Sequence, residues 1–257
     1  MKATPFEFRF RLVIGLLLYF LGFWAPWARY SGTGSVSTTW LELSGALASA
    51  HWLSLNSATI LITAIAILCA VKGTIFRVWG TAYLGTAVVH DSSMHGAQVV
   101  AAGPYRYVRN PLYLGTFIFS IAVSILMPPT GAIFFLLAQA IFYLRLVLGE
   151  ETYLTAQQGE AYLAYKQHVP RFIRSLRARV PASAAKPEWL TSILAESYYI
   201  SLTVCFAVLA WRYNAYLLTK CVVICFGASL VLRALLPRMA PPSTTSHPRN
   251  EENSAGD

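Results

Sequence analysis

Charge is the scarcest property of this chain. Asp, Glu, Lys and Arg supply 12% of its 257 residues, against about 25% in an ordinary soluble domain. So little charge cannot cover a water-facing surface, which excludes a freely soluble domain. The 56% hydrophobic content also excludes a disordered or collagen-like chain. Acidic residues are scarcer than basic ones, 11 against 20, for a net charge of +9. No basic stretch forms a nucleic-acid module, so no nucleic-acid partner is expected. The excess fits the Lys and Arg that membrane proteins place in cytoplasmic loops. The four cysteines, Cys69, Cys205, Cys221 and Cys225, lie in apolar runs, which argues against a disulfide framework. Cys221 and Cys225 share a helix face without His, Asp or Glu, and read as small hydrophobes. His90, Asp91 and His95 form the one other metal-like group, but the histidine spacing suits one helix face poorly. No metal is expected.

Long apolar runs are what the chain has instead. Leu12 to Trp27 follows Arg9 and Arg11; it lacks a small-x-small cleavage site and reads as a retained membrane helix. Trp40 to Trp52 reads as a short interfacial helix. Leu53 to Val71 carries no charge and is long enough to span. Val78 to Val89 is shorter, a tilted span or a re-entrant segment. Leu112 to Met127 and Ala132 to Leu148 flank Pro128-Pro129-Thr130-Gly131, a predicted turn, and so form a hairpin. Leu190 to Trp211 and Tyr213 to Leu236 read as a second hairpin, with Glu196 and Lys220 snorkelling from it.

The expected fold is therefore all-α: a polytopic membrane protein of about six to seven transmembrane helices around a helix-hairpin core. Expected divisions are N-terminal membrane helices (1–74), the catalytic core (75–173), a linker and C-terminal hairpin (174–240), and a disordered tail (241–257). The Lys and Arg excess over 149–188, with Arg106 and Arg109, makes that face cytoplasmic.

Two polar segments carry the candidate chemistry. In Gly103 to Gly115, Gly103-Pro104 marks a turn, Asn110 is a natural N-cap and Pro111 suits the first helical position. A helix N-terminus beside Arg106 and Arg109 favours an anion. Tyr105, Tyr107 and Tyr113 add aromatic bodies with hydroxyl tips. The second segment begins Gly149-Glu150-Glu151, two carboxylates directly after a membrane helix, where negative charge does not help the helix end. They read as recognising a cation. The hairpin brings residues near 103–111 and 149–170 to one face.

Together these segments resemble the isoprenylcysteine carboxyl methyltransferases and the related phospholipid methyltransferases over roughly residues 75–173. The resemblance rests on Gly103-Pro104-Tyr105, Arg109-Asn110-Pro111-Leu112-Tyr113, Glu150-Glu151-Thr152-Tyr153-Leu154, and the closing Gly159-Glu160-x-Tyr162-x-x-Tyr165 and Val169-Pro170-Arg171. Asn110 stands where the family usually has histidine; it keeps a hydrogen bond but no charge change near neutral pH. The resemblance implies methyl transfer from S-adenosylmethionine to a lipophilic acceptor, a prenylated carboxylate or a lipid headgroup, reached from the bilayer. It implies Arg109 for the cofactor's carboxylate, Glu150 or Glu151 for its ammonium, and Gly103, Pro104, Tyr105, Asn110, Pro111 and Tyr113 around the rest of it. Two alternatives stand beside it: an NADPH-dependent membrane sterol or enone reductase of related architecture, and a non-enzymatic lipid-binding protein.

Overall fold

The structure, a computed structural model, describes residues 2–24, 37–85, 101–173, 175, 177–183, 185–210 and 215–235. The His90, Asp91 and His95 group and the tail at 241–257 lie outside these residues. Among the described residues every regular element is helical. In chain order they are α1 (Pro5–Arg9), α2 (Arg11–Trp24), α3 (Thr39–Ser49), α4 (Leu55–Leu84), a 3-10 turn (Gly103–Arg106), α5 (Pro111–Ser124), α6 (Pro129–Gln158), α7 (Glu160–His168), α8 (Trp189–Ala195), α9 (Ser197–Ala210) and α10 (Ala215–Leu235).

Helices α4 and α6 are long and apolar enough to cross a membrane. The pair α8 and α9, bent by 67°, makes a third if it is one span. Helices α2 and α5 and much of α10 are apolar but shorter. At 30 residues each, α4 and α6 extend about 45 Å, beyond the roughly 30 Å of hydrocarbon. Leu61, Ile65 and Leu68 of α4 and Ile133, Leu137 and Ile141 of α6 point outward, while Thr63, Ser120, Ser124 and Gln139 are buried. Apolar groups outside and polar groups inside is the arrangement that lipid favours.

The expected break between Val71 and Val78 does not occur: α4 continues through Lys72 and Arg77 to Leu84. It continues because Arg77 is neutralised within the fold, as described below, and because its small residues fit a neighbour. A Cβ on Gly73 would come 2.7 Å from the Gly115 carbonyl oxygen of α5, so the two backbones pack directly. The hairpin of α5 and α6 is present, with a shorter turn than expected. Pro128 caps and Pro129 opens α6, as suits proline at a first helical position. Thr130 and Gly131 are therefore helical, and Gly131 lies against the Gly22 carbonyl of α2. The turn's carbonyls are bonded by the start of α3: Trp40 N–H donates to Ile125 (2.8 Å) and Thr39 N–H to Met127 (2.8 Å).

Glu196 does not snorkel. It is fully buried at the break between α8 and α9. Arg77 meets it as a fork, Nε to Oε2 at 3.0 Å and Nη2 to Oε1 at 2.7 Å, and the Thr81 hydroxyl donates to Oε1 at 2.6 Å. Further bonds run along α4: Glu188 N–H to the Ala82 carbonyl (2.8 Å), Ser192 Oγ to the Val78 carbonyl (2.6 Å), and a Thr74–Thr203 hydroxyl pair (2.8 Å). The C-terminal arm is thus integral to the bundle. Cys205 and Cys225 lie 3.7 Å apart across α9 and α10 as free, half-buried thiols.

Candidate active site

The loop from Ala101 to Asn110 is fixed from both sides. Gly103 has φ +52°, and a Cβ there would collide with the Tyr83 ring at the end of α4, so both conformation and space require glycine. Tyr105 is buried, with its hydroxyl 3.5 Å from the Gly80 carbonyl. Tyr165 of α7 donates its hydroxyl to the Tyr105 carbonyl at 2.8 Å. Burial pushes the Tyr165 hydroxyl well up, so it stays protonated and remains a donor.

From the other side the chain after α7 runs along the loop as a strap. Arg109 N–H donates to the Pro170 carbonyl (2.9 Å), Ser175 N–H to Tyr107 (3.0 Å), Arg179 N–H to Arg106 (3.0 Å) and Ser183 N–H to Ala101 (2.9 Å). Arg106, expected to face a ligand with Arg109, instead donates Nε to the Val180 carbonyl at 2.9 Å. Its guanidinium fastens the strap, because this position turns toward residues 175–183 while Arg109 turns toward α6.

The hairpin delivers the carboxylates to this loop. Glu151 is buried, and Arg171 grips it with Nη2 at 2.8 Å from Oε2 and Nε at 3.1 Å from Oε1. The Glu151 carboxylate in turn raises the Arg171 guanidinium above its ordinary range. Arg109 Nη1 stands 3.5 Å from Glu151 Oε1. Asn110 occupies the N-cap position of α5 but makes no cap bond with its side chain. Its Nδ2 donates toward Glu151 Oε1 (3.4 Å) and the Arg171 carbonyl (3.3 Å). The expected capping role is replaced because a buried carboxylate lies within reach, and a charged acceptor competes well for a side-chain donor. Pro111 is at the start of the helix as expected.

Two features stand out chemically. Arg109 Nε and Nη1 are shielded from solvent and have no hydrogen-bond partner among the described residues. Two guanidiniums also face one carboxylate, leaving positive charge in excess. Buried donors of this kind are rare in settled structure, and they fit a planar anion. Glu150 is half-buried on the adjoining face beside Tyr113, whose ring lies 5.7 Å from Tyr143. Tyr113 and Tyr143 pack with Phe8 of α1, Phe142 and Leu146. Pro104 is buried inside the 3-10 turn. Sequence reasoning missed that Arg171 is the main partner of Glu151; its place in the closing motif was the available signal. It also missed the pairing of Arg77 with Glu196, for which the two charges interrupting apolar runs were the signal.

Residues 64–156 match the model of the isoprenylcysteine carboxyl methyltransferase family. The likeness to that family's model is confined to this stretch. The matched stretch contains α4 from its middle onward, the loop, the hairpin and both carboxylates. A protein-S-isoprenylcysteine O-methyltransferase of Dictyostelium discoideum is 28% identical over 160 residues, 61% of this chain. The chain spans little more than half, 57%, of that relative's length. No solved structure gives a significant match. The matched stretch ends before Arg171, so the strap that completes the Glu151 cluster lies beyond it.

Proposed function

We propose that this chain is an integral-membrane methyltransferase that moves a methyl group from S-adenosylmethionine to a carboxylate on a lipophilic, isoprenylcysteine-like acceptor. The carrying observation is the buried Arg109 guanidinium, with Nε and Nη1 making no hydrogen bond among the described residues and Nη1 standing 3.5 Å from an already engaged Glu151. These donors suit the cofactor's carboxylate. Glu151 is occupied by Arg171, so Glu150, with no guanidinium hydrogen-bonded to it among the described residues, suits the ammonium. Gly103, Pro104, Tyr105, Asn110, Pro111 and Tyr113 frame the remaining volume. When bound, the cofactor supplies a methyl group already activated by its sulfonium. The protein's task is then to hold that group in line with an acceptor oxygen and to exclude water. No protein nucleophile is required.

The proposal extends to topology. The shorter apolar helices α2, α5 and α10 join α4, α6 and the bent pair in the bilayer, and the loop–strap face is cytoplasmic, following its Lys and Arg excess. Residues 75–173 act as the catalytic unit, with the flanks as its scaffold and a lipid-accessible entry for the acceptor.

Membranes containing the protein, incubated with methyl-labelled S-adenosylmethionine and N-acetyl-S-farnesylcysteine, are expected to yield a base-labile labelled ester. Absence of that product from a folded, cofactor-binding preparation would falsify the acceptor class. Failure to bind the cofactor would overturn the whole reading.

A further inference from the structure

Gln139 is used neither by the packing nor by the chemistry proposed above. It lies in the middle of α6, fully buried. Its Nε2 donates to the Tyr143 hydroxyl at 2.8 Å, while Oε1, closed off from solvent, has no partner among the described residues. A glutamine kept for structure at this depth would have both ends of its amide engaged. Polar side chains within membrane helices are costly and commonly line ligand paths.

The surroundings connect Gln139 to the site. Gln139, Tyr143 and Glu150 lie four and seven residues apart, on one stripe of α6. Tyr143 packs against Tyr113, which stands beside Glu150. On the other flank the Tyr19 and Ser120 hydroxyls share a 3.2 Å bond. Tyr19 packs with its ring tilted against Phe135, centroids 4.5 Å apart, one turn before Gln139. Ser120 lies one turn after Thr116, which takes Arg77 Nη1 at 3.4 Å. A seam of hydroxyls and one amide thus leads from Glu150 into the apolar bundle, with an unmet acceptor on it.

We propose that Gln139 is a specificity-determining residue whose Oε1 accepts a hydrogen bond from an N–H of the lipophilic acceptor. Preferred acceptors then carry an amide next to the carboxylate. This inference rests on the methyl-transfer reading above.

Two acceptors with the same carboxylate, thioether and farnesyl chain separate the possibilities. N-acetyl-S-farnesylcysteine has the amide N–H, and S-farnesyl-3-mercaptopropionic acid lacks it. The wild-type protein is expected to favour the amide compound by about tenfold or more in kcat/KM, the scale of one well-made buried hydrogen bond. Gln139→Leu is expected to bring that ratio to about one with cofactor affinity intact. Its thermal midpoint should be unchanged or higher, because an unmet acceptor has been removed. Gln139→Met repeats the test at closer volume should the leucine variant fold poorly. A ratio that is the same in wild type and variants overturns the inference alone. So does an equal loss on both acceptors together with a lower midpoint. A wild-type protein that methylates neither compound overturns both this inference and the acceptor class beneath it.

Discussion

Two buried carboxylates in this molecule are held in opposite ways. Glu196 is saturated: a forked Arg77 and the Thr81 hydroxyl meet it at 2.6 to 3.0 Å. Charge balances one to one, and the Arg77 side chain also lies 4.9 Å over the Tyr199 ring. Glu151 is crowded instead. Arg171 binds it closely, Arg109 stands off at 3.5 Å, and Asn110 reaches it at 3.4 Å. One negative charge faces two guanidiniums, and Arg109 Nε and Nη1 make no hydrogen bond among the described residues. Both clusters interrupt an apolar bundle, so burial alone does not distinguish them. Satisfaction does: a closed hydrogen-bond inventory marks structure, and an open one marks a place where a ligand completes it.

The largest test of this contrast is Glu196→Ala. It leaves Arg77 buried and uncompensated and is expected to cost about 3–5 kcal/mol, seen as a loss of folded protein or a steep drop in thermal midpoint. A variant as stable as wild type would show that the saturated cluster is dispensable. Next, Arg109→Ala should weaken cofactor binding by roughly 10- to 100-fold while leaving the midpoint nearly unchanged, because the lost donors were unmet. Calorimetric titration and thermal unfolding of one preparation check both halves; normal affinity would remove Arg109 from the site.

Asn110→His, which brings in the residue usual in the family that the chain resembles, should keep a donor toward Glu151. It should also make cofactor affinity respond to pH near about 6.5, where imidazole titrates. Equal pH profiles for variant and wild type would show that position 110 does not report to the Glu151 cluster. The smallest effect concerns a third, more exposed pair. Glu7 meets Arg145 at 2.8 and 3.0 Å, and that bond with the Thr4 cap lowers its carboxyl from 4.5 to about 2. A depressed folded-state value means the stabilisation is present above pH 4.5 and is lost as pH falls toward about 2. Glu7→Gln should flatten the acid side of the stability curve slightly; an unchanged curve would show that the pair contributes nothing measurable.

The hairpin was legible in the sequence because two prolines end one helix and open the next, and because two apolar runs of similar length flank them. Placing Arg109 near Glu151 followed from that hairpin alone. What escaped depended on partners far along the chain. Arg77 looked like the end of a helix because Glu196 lies 119 residues away, and no local pattern announces such a partner. Asn110 has the residue type and position of a cap, and only the approach of α6 gives its amide a stronger acceptor. Arg106 and Arg109 are three residues apart in one motif, yet the strap beyond Pro170 divides them between a structural and an open role.

The distance between Arg77 and Glu196 also sets an order of events during synthesis. Arg77 enters the bilayer as part of α4 before its counter-charge has been made. At about 5–20 residues per second, translating the 119 positions from Arg77 to Glu196 takes roughly 6 to 24 seconds. For that interval a guanidinium in the nascent chain has no carboxylate to meet, a state that insertion machinery must shelter or delay. The C-terminal arm therefore acts as a final clasp, and chains truncated before residue 196 should be the ones that cellular quality control removes.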